Sequence, residues 1–454
     1  MRMLIDVEKH RLQATDLAQM QGMVQELLNI LQLRSACECE LVASRRYTVI
    51  QPGTADNLGL LKLEEQHQLD VVMYRHGKVA SYRARWEHAF DADAFVEDAL
   101  AFCSQSPRHP CAGLPYVQDL AWEYRDLDLF HDWRKACASS EHLVEKATTR
   151  IHDSGSSFPI KVHFGATAQI QVLGNTQGFI GGYRDTLYEL NCRADAFHRG
   201  VRPGRGVSRV ARDLAGLGAT DDFVASVVSQ SSMPMGDRPL PLERCAYVFS
   251  PVTSVLLLNT FLKAVTGQAV ADGDSVLCGY LDKPLFGPDI GIVEVPMLEK
   301  GVGSMPFDRQ GCVPSGDPFV QDGRLVRYAL DAESARRLGL QNTGNSTHAW
   351  ESARNLAFTP GQQPLNELLA IMGKGVLVSD VRLLKLDVAS GQIRLQLIGT
   401  WVDAGAPQYR LKPFAVQTTL LELFQRIRAV GAADDFPGRS VGSSLLVELL
   451  DAGR

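Results

Sequence analysis

Apolar residues recur along the first part of the chain with two different periods. Between residues 17 and 31 they are three and four positions apart, which is typical of an amphipathic helix. Alternating apolar and polar positions follow in CECELVAS, YTVIQ and LDVVMYRHGKVASYRARW, the last interrupted by a predicted turn at His76 and Gly77. Residues 91–104 return to helical spacing. These patterns predict an N-terminal domain of helices on an antiparallel sheet.

A second β-rich section lies between residues 158 and 195, where glycines separate runs of strand-like sequence. The segment SSMPMGDRPLPLE, residues 231–243, carries three prolines and reads as a linker. We therefore predict two domains, an N-terminal α/β domain of residues 1–235 and a β-rich C-terminal domain of residues 236–454.

In the C-terminal domain, a strand predicted over CAYVFS is followed by a helix that is apolar on nearly every side. This helix is predicted over SPVTSVLLLNTFLKAVTG, with Pro251 in its first turn and Gly267 at its end. Such a helix should be buried against a sheet. Strand-like runs dominate the remaining sequence, with a hairpin turn predicted at Asp322 and Gly323. The fold class predicted is α+β.

The composition limits the partners that the chain can recognise. Its 454 residues are 45% hydrophobic, enough for two or three full-sized cores. The 46 basic and 52 acidic residues nearly balance, so no global field attracts nucleic acid or an anionic membrane. We find no secretory signal and no apolar run of the roughly 18 residues that a membrane span needs. Nine cysteines without a C-x-x-C argue against a disulfide framework, so we expect a cytoplasmic protein.

One basic segment and one histidine are local candidates for binding. Residues 196–213 hold five arginines among glycines, at positions 199, 202, 205, 209 and 212. Without interleaved aromatic residues we favour a solvated loop there over a phosphate site. His348 lies among small polar residues in NTGNSTHAW, although a lone loop histidine is more often structural. No H-E-x-x-H, G-x-S-x-G, P-loop or dinucleotide-binding motif is found in the sequence.

Several distinctive blocks follow one another from about residue 100 to the C-terminus: SPRHPCAGLP, DLDLFHDW, VLGNTQGFIGGYRDTLYELNC, GVGSMPFDRQGCVP, FVQDGRLVRYALDAESARRLGLQNTGN and VGSSLLVELL. In these blocks the chain resembles the TldD/PmbA family, once labelled a modulator of DNA gyrase. The chain most resembles the PmbA branch, also called TldE. The resemblance implies a C-terminal domain of strongly curved, barrel-like antiparallel sheet around a buried helix.

The resemblance also implies a division of labour between two subunits. In this family a TldD-type subunit carries zinc on a buried helix with the pattern H-E-x-x-x-H, and a PmbA-type subunit lacks that pattern. The pair cleaves unfolded peptides, including leader segments of peptide products. The resemblance places Leu258 and Lys263 at the histidine positions, Asn259 at the glutamate, and Val441 where catalytic members have a cysteine.

These four residues cannot do zinc chemistry. Leucine and valine have no lone pair to offer, and a protonated lysine repels the cation. Asparagine cannot act as a general base near neutral pH. We therefore expect no catalytic residue, no metal site and no cofactor in this chain, with zinc in the partner subunit.

Two turn-rich blocks remain candidates for peptide binding by strand addition. The candidate residues are Phe307, Asp308, Gly311, Thr343, Gly344, Asn345 and His348. The same residues fit equally well a role in shaping tight turns.

The leading hypothesis is a non-catalytic PmbA/TldE-type subunit that forms a heterodimer or larger heteromer with a TldD-type catalytic subunit and acts on extended peptides. The alternative is a homodimeric peptide-binding protein without protease activity. Direct regulation of gyrase rests on the old family label alone, and the charge balance gives it no support.

Overall fold

The computed structural model describes most of the chain. It covers residues 12–35, 37–54, 57–75, 77–86, 91–104, 111–153, 160–195, 204–231, 236, 238–346, 354–433 and 440–453. The chain forms two compact units, Met1–Met233 with Glu299–Val313, and Pro234–Leu298 with Pro314–Arg454. The boundary at residue 235 stays a prediction, but it assigns residues 299–313 to the second domain, whereas the structure groups them with the first unit.

The first unit contains one six-stranded sheet. Its strands are β1 (Glu38–Thr54), β2 (Lys62–Arg75), β3 (Lys78–Arg85), β4 (Ile160–Asn175), β5 (Ile180–Asp195) and β6 (Gly204–Ala211). Their order is β3-β2-β1-β4-β5-β6, and every neighbouring pair is antiparallel. The helices are α1 (Ala14–Ser35), α2 (Ala92–Ser104), α3 (Trp133–Asp153) and α4 (Thr220–Ser231). This arrangement confirms the predicted combination of helices and antiparallel sheet.

Helix α1 buries the apolar face that its sequence spacing predicts. Val24, Leu27, Leu28 and Leu31 are at most 2% exposed, and each such side chain contributes roughly 1.5–3 kcal/mol when removed from water. The helix lies close to the sheet because β4 has a glycine beneath it. A Cβ at Gly174 would stand 2.8 Å from side-chain carbons of both Val24 and Leu28.

The arginine-rich segment is not a solvated loop, and that prediction is wrong for its described part. Residues 204–211 form β6, and Arg209 and Arg212 are buried. Arg212 Nη1 donates to Asp185 Oδ1 at 2.9 Å. Its other nitrogens donate to the carbonyls of residues 301, 302 and 304. This buried cation is therefore paired and hydrogen-bonded, and it ties residues 299–313 to the first unit.

The second unit contains two sheets. Their strands are β7 (Arg244–Phe249), β8 (Ile292–Glu294), β9 (Val320–Gln321), β10 (Arg324–Leu325), β11 (Leu356–Phe358), β12 (Gly375–Leu386), β13 (Gln392–Asp403), β14 (Ala406–Arg410), β15 (Phe414–Thr419), β16 (Ile427–Ala433), β17 (Ser440–Val441) and β18 (Ser443–Gly453). Its helices are α5 (Pro251–Val265), α6 (Gly267–Asp272), α7 (Ala332–Leu338), α8 (Leu365–Met372) and α9 (Leu420–Gln425). Among the described helices of both units, none is long and apolar enough to cross a membrane.

The two sheets of the second unit are mixed, not purely antiparallel as expected. The smaller has the order β10-β9-β8-β11-β17, and the larger has the order β12-β7-β18-β15-β13-β14, with β16 on β18 and a further pairing of β12 with β13. The pairs β7–β12 and β11–β17 are parallel. A parallel pair needs a long crossover, and the chain between β7 and β12 supplies one that includes α5. The α+β class is confirmed, whereas the barrel-like curvature stays a prediction.

In the second unit, two predictions that depend only on residues close together in the sequence are confirmed. Pro251 stands at the start of α5, whose buried residues include Leu257, Leu258 and Phe261. Asp322 and Gly323 join β9 to β10 with φ angles of 48° and 73°, as a tight hairpin turn requires.

Candidate functional site

Helix α5 carries three of the four positions at which the resemblance places metal-site residues. Leu258 is completely buried in the apolar core of the second unit. Asn259 and Lys263 are half-buried. Residues five positions apart lie roughly 140° apart around a regular helix, so Leu258 and Lys263 point in different directions.

The fourth position, Val441, lies on a strand that runs close to this helix. Ser440 Oγ donates to Asn259 Oδ1 at 3.5 Å, and Ser443 N donates to Ser254 Oγ at 3.2 Å. The approach depends on Gly442, where a Cβ would stand 2.0 Å from the Pro251 carbonyl oxygen. The structure therefore brings Val441 and Asn259 into one neighbourhood, although the sequence separates them widely.

The side chains at these four positions do not fit a zinc ion. Leu258 is packed among hydrocarbon groups, the amide oxygen of Asn259 accepts from Ser440, and Lys263 ends in a cation. Across the described ranges, no group of three or more His, Cys, Asp or Glu side chains is arranged to hold a metal. No step of metal chemistry can be derived from this donor set.

Phe307, a candidate for peptide binding, is packed inside the first unit. It is 1% exposed. Its ring meets those of Tyr124, Phe179 and Tyr183 edge-on, with centroids 5.1, 5.6 and 5.6 Å apart. A Cβ at Gly181 would lie 2.7 Å from the Phe307 ring. Phe307 therefore anchors residues 299–313 in this aromatic cluster.

Asp308 and Gly311 shape the turn that follows Phe307. The buried Asp308 carboxylate accepts from the backbone N–H groups of Gln310 and Cys312 at 2.8 and 2.9 Å. Gly311 has a φ of 80°, a conformation that favours glycine. These contacts support the turn-shaping alternative, and peptide binding by the two residues stays a prediction.

The candidates Thr343, Gly344 and Asn345 belong to a loop of the second unit, while His348 lies outside the described residues. Thr343 Oγ1 accepts from Leu330 N at 2.7 Å. Gly344 has a φ of 65°, and Asn345 is 3% exposed. The Thr343 and Asn345 side chains therefore hold the loop in shape, and peptide binding by these residues stays a prediction.

Asn345 is fixed by a charged pair that the sequence analysis missed. Glu294 Oε2 accepts from Arg327 Nη2 at 2.6 Å, and the Glu294 side chain is fully buried. Asn345 bridges the pair, because its Nδ2 donates to Glu294 Oε1 at 3.1 Å and its Oδ1 accepts from Arg327 Nη1 at 3.1 Å. The only signal in the sequence is a glutamate within the short apolar run GIVEV.

Arg354 contacts both Glu294 and the loop of residues 343–345. Its backbone N–H donates to Glu294 Oε1 at 2.7 Å, and its Nη1 donates to the Gly344 carbonyl at 2.8 Å. The residue is 1% exposed. Its Nε and Nη2 groups are buried and have no hydrogen-bond partner among the residues that the structure describes. Glu294, Arg327, Asn345 and Arg354 therefore form a polar cluster around the loop of residues 343–345.

The DLDLF block lies beside a cavity of about 320 Å³ in the first unit, which is small for a ligand site. Residues 124–130 and 182–184 contribute most of its lining. Tyr124 closes one side, since its hydroxyl donates to the Gly182 carbonyl and accepts from the Gly182 N–H. The Arg184 guanidinium stands 4.5 Å over the Phe130 ring. In the sequence, this block is visible only as a part of the family resemblance.

The chain resembles known proteins in its C-terminal domain and over most of its sequence. Residues 243–454 match the family model described as the PmbA/TldA metallopeptidase C-terminal domain. The chain is 27% identical over 373 residues to Metalloprotease PmbA of Escherichia coli O157:H7, covering 79% of this chain and 80% of that protein. A PmbA homolog of Haemophilus influenzae is also 27% identical, with 79% of each chain covered.

Solved structures share the fold. A protein of Thermotoga maritima, named for modulation of a DNA gyrase, has a TM-score of 0.84 at 18% identity and covers 95% of this chain and 100% of its own. TldE from Thermococcus kodakarensis has a TM-score of 0.79 at 12% identity, with 96% and 99% covered. Residues 243–454 thus match the C-terminal domain of the PmbA/TldD family, and the chain as a whole resembles PmbA relatives in sequence and shares the fold of the solved structures.

Proposed function

We propose that this chain is a non-catalytic subunit of the PmbA/TldE type. It pairs with a TldD-type protein that carries zinc, and the complex cleaves unfolded or leader peptides in the cytoplasm. The observation that carries the proposal is the chemistry of α5, in which Leu258 is part of the apolar core. The curated relatives named metalloproteases support a place in peptide hydrolysis.

The role of this chain is then to form part of the peptide-binding cleft and to position the peptide, and it does not activate water. A hydrolytic site needs a base and an electrophile near the scissile bond, and α5 offers an amide and an ammonium group at the relevant positions. The loop of residues 343–345 is held in place by the hydrogen bonds of Asn345 with Glu294 and Arg327. Such a loop is suited to form the wall of a cleft that binds an extended peptide. The partner supplies the metal chemistry.

The test compares the purified chain alone with the chain co-expressed with a TldD-type partner. We expect the chain alone to hold no stoichiometric zinc and to cleave no unfolded peptide, while the complex cleaves it and loses activity to a chelator. Chelator-sensitive cleavage by the isolated chain would overturn the proposal.

A second experiment asks whether α5 takes part in catalysis. The double variant Asn259→Ala/Lys263→Ala should leave turnover by the assembled complex nearly unchanged, because neither side chain does chemistry. Ser226→Ala, at a position of the first unit that is half-buried like Asn259 and Lys263, is the matched control. A collapse of turnover in the double variant, with assembly intact, would contradict a non-catalytic helix.

The alternative is a homodimeric peptide-binding protein without a protease partner. The loop of residues 343–345 supports it, because a loop held in place by Glu294 and Arg327 through Asn345 can bind a peptide without any catalytic residue. The molar mass of the purified chain, measured with and without a TldD-type protein, separates the two functions. A homodimer that stays intact in the presence of that protein favours the alternative.

A further inference from the structure

The cavity beside the DLDLF block lies along a part of the β5 edge that no described strand covers. β6 pairs only with the later half of β5, and residues 124–131 run along the earlier half. This segment is fixed to β5 at two places. The Tyr124 hydroxyl bonds to the N–H and the carbonyl of Gly182. The Leu129 carbonyl accepts from Thr186 N at 2.9 Å. At the rise of a strand, the two places are about 13 Å apart along β5.

Arg184 lies midway between these two places, and its backbone groups face the same edge. Residues two apart on a strand point their N–H and C=O groups to the same side, and no register shift interrupts β5 here. Gly182 and Thr186 turn these groups toward residues 124–131, so Arg184 does as well. Among the described residues, none bonds to the Arg184 N–H or carbonyl from this side. One backbone donor and one acceptor therefore face the cavity, whose wall includes Arg184.

The size and position of the cavity allow a short ligand to enter it. Its volume of about 320 Å³ corresponds to about ten water molecules, so it is a site for a small ligand and not for a folded segment. Asp126 and Asp128 belong to its wall and are exposed, which makes the cavity accessible from solvent. An extended dipeptide is about 7 Å long and fits between the places fixed by Tyr124 and Leu129.

The charged side chains of the cavity wall balance one another. They are Arg125, Asp126, Asp128 and Arg184. Lys300, which pairs with Asp128 at 3.4 Å, is itself balanced by Asp213 at 2.9 Å. A ligand that carries one charge of each sign therefore matches this wall better than a simple anion or a simple cation.

Two of these side chains can each meet one end of such a ligand. Asp126 Oδ1 accepts from Asp128 N at 2.9 Å, and its carboxylate forms no ion pair with any described residue. The Arg184 guanidinium stands 4.5 Å over the Phe130 ring, and its Nη1 donates to the Leu12 carbonyl at 3.1 Å. These contacts hold the guanidinium in place at the wall while the Asp126 carboxylate stays exposed.

We propose that this cavity binds a dipeptide with free termini. The amide N–H of the ligand donates to the Arg184 carbonyl, and its carboxylate accepts from the Arg184 N–H, as two paired residues of an antiparallel sheet do. Its ammonium group pairs with Asp126, and the Arg184 guanidinium favours the carboxylate. The non-catalytic role of α5 does not assign this site. Peptide hydrolysis releases short peptides with free ends, so the ligand class agrees with the proposed function without depending on it.

The test is titration calorimetry of the full chain with L-alanyl-L-alanine and three analogues. The N-acetylated analogue lacks the ammonium group, the C-amidated analogue lacks the carboxylate, and the N-methylated analogue lacks the amide N–H. We expect the dipeptide to bind with a Kd below about 1 mM and each analogue to bind at least about fivefold more weakly. A Kd of the dipeptide above that value, or any analogue that binds more tightly than this limit, would overturn the inference without any variant.

A variant assigns the binding to this cavity. Asp126→Asn should abolish the preference for the free over the acetylated N-terminus, because the ammonium group loses its ionic partner. Glu123→Gln is the matched control, since it removes one exposed carboxylate from the same segment but not from the cavity wall, and it should bind as the wild type does. A preference that persists in Asp126→Asn, or one that is lost equally in Glu123→Gln, would place the ligand elsewhere and refute the site. Neither result bears on the proposed function, which is tested by zinc content and peptide cleavage.

Discussion

The Glu294–Arg327 pair gives the most direct test of how the candidate loop is held. We expect Glu294→Gln to loosen the loop of residues 343–345 in the second unit. The amide keeps the size of the carboxylate but removes its charge. The Arg327 guanidinium is then left buried, at 8% exposure, without its counter-ion.

The magnitude follows from the contacts that Glu294 accepts. They are one ion-paired bond of 2.6 Å from Arg327, bonds of 3.1 and 3.3 Å from Asn345, and one of 2.7 Å from the Arg354 backbone. Breaking a buried ion pair from one side costs about 3–5 kcal/mol, and this is a large fraction of a typical domain stability. The double variant Glu294→Gln/Arg327→Met removes both charges, so we expect it to recover at least half of that loss.

Native-state hydrogen exchange followed by mass spectrometry is the suitable assay, because a two-unit chain need not unfold in a single transition. Peptides that cover residues 292–294, 324–330 and 343–346 report the free energy of opening around the pair and of the loop that it holds. Peptides of the first unit serve as an internal control and should not change. A loss below about 1 kcal/mol in Glu294→Gln, or a double variant no more stable than Glu294→Gln, would refute the reasoning.

Three further predictions concern particular buried or paired groups. Arg212→Met should speed exchange across Glu299–Val313 and cost about 3–5 kcal/mol, and normal protection there would contradict the anchoring role. Leu258→Ala should lower the free energy of unfolding, measured in urea, by about 2–5 kcal/mol, and Lys263→Ala should lower it by about 1 kcal/mol or less. Equal losses would mean that both side chains lie in similar surroundings. Burial by itself would raise the pKa of Asp213, but hydrogen bonds from Lys300 and a backbone N–H, with the charge of Lys300, hold that pKa below its usual value. The stability that Asp213 adds is therefore present above about pH 4 and is lost as the pH falls through the lowered pKa. The stabilities of the wild type and Asp213→Asn should converge in acid. A difference in stability that grows as the pH falls would contradict this direction of the pKa shift.

Two of the wrong predictions have the same cause: the partner of the residue or strand lies far away in the sequence. Arg212 is buried because Asp185 and the carbonyls of residues 301, 302 and 304 surround it. From sequence, the same arginine among glycines has the composition of a solvated loop. The parallel pair β7–β12 likewise joins segments that more than one hundred residues separate.

The sequence by itself determined the features that depend on near neighbours. The spacing between residues 17 and 31, the proline at 251 and the turn at Asp322 and Gly323 act through contacts of a few residues, so helix α1, the start of α5 and the hairpin are predictable. The sequence likewise predicts that position 258 of α5 provides no metal ligand, since a leucine cannot bind a metal wherever it lies. Only the tertiary structure decided which charges are buried and paired, because the cost of burying a charge depends on what the rest of the fold places around it. The cluster of Glu294, Arg327 and Arg354 is the clearest example of that dependence.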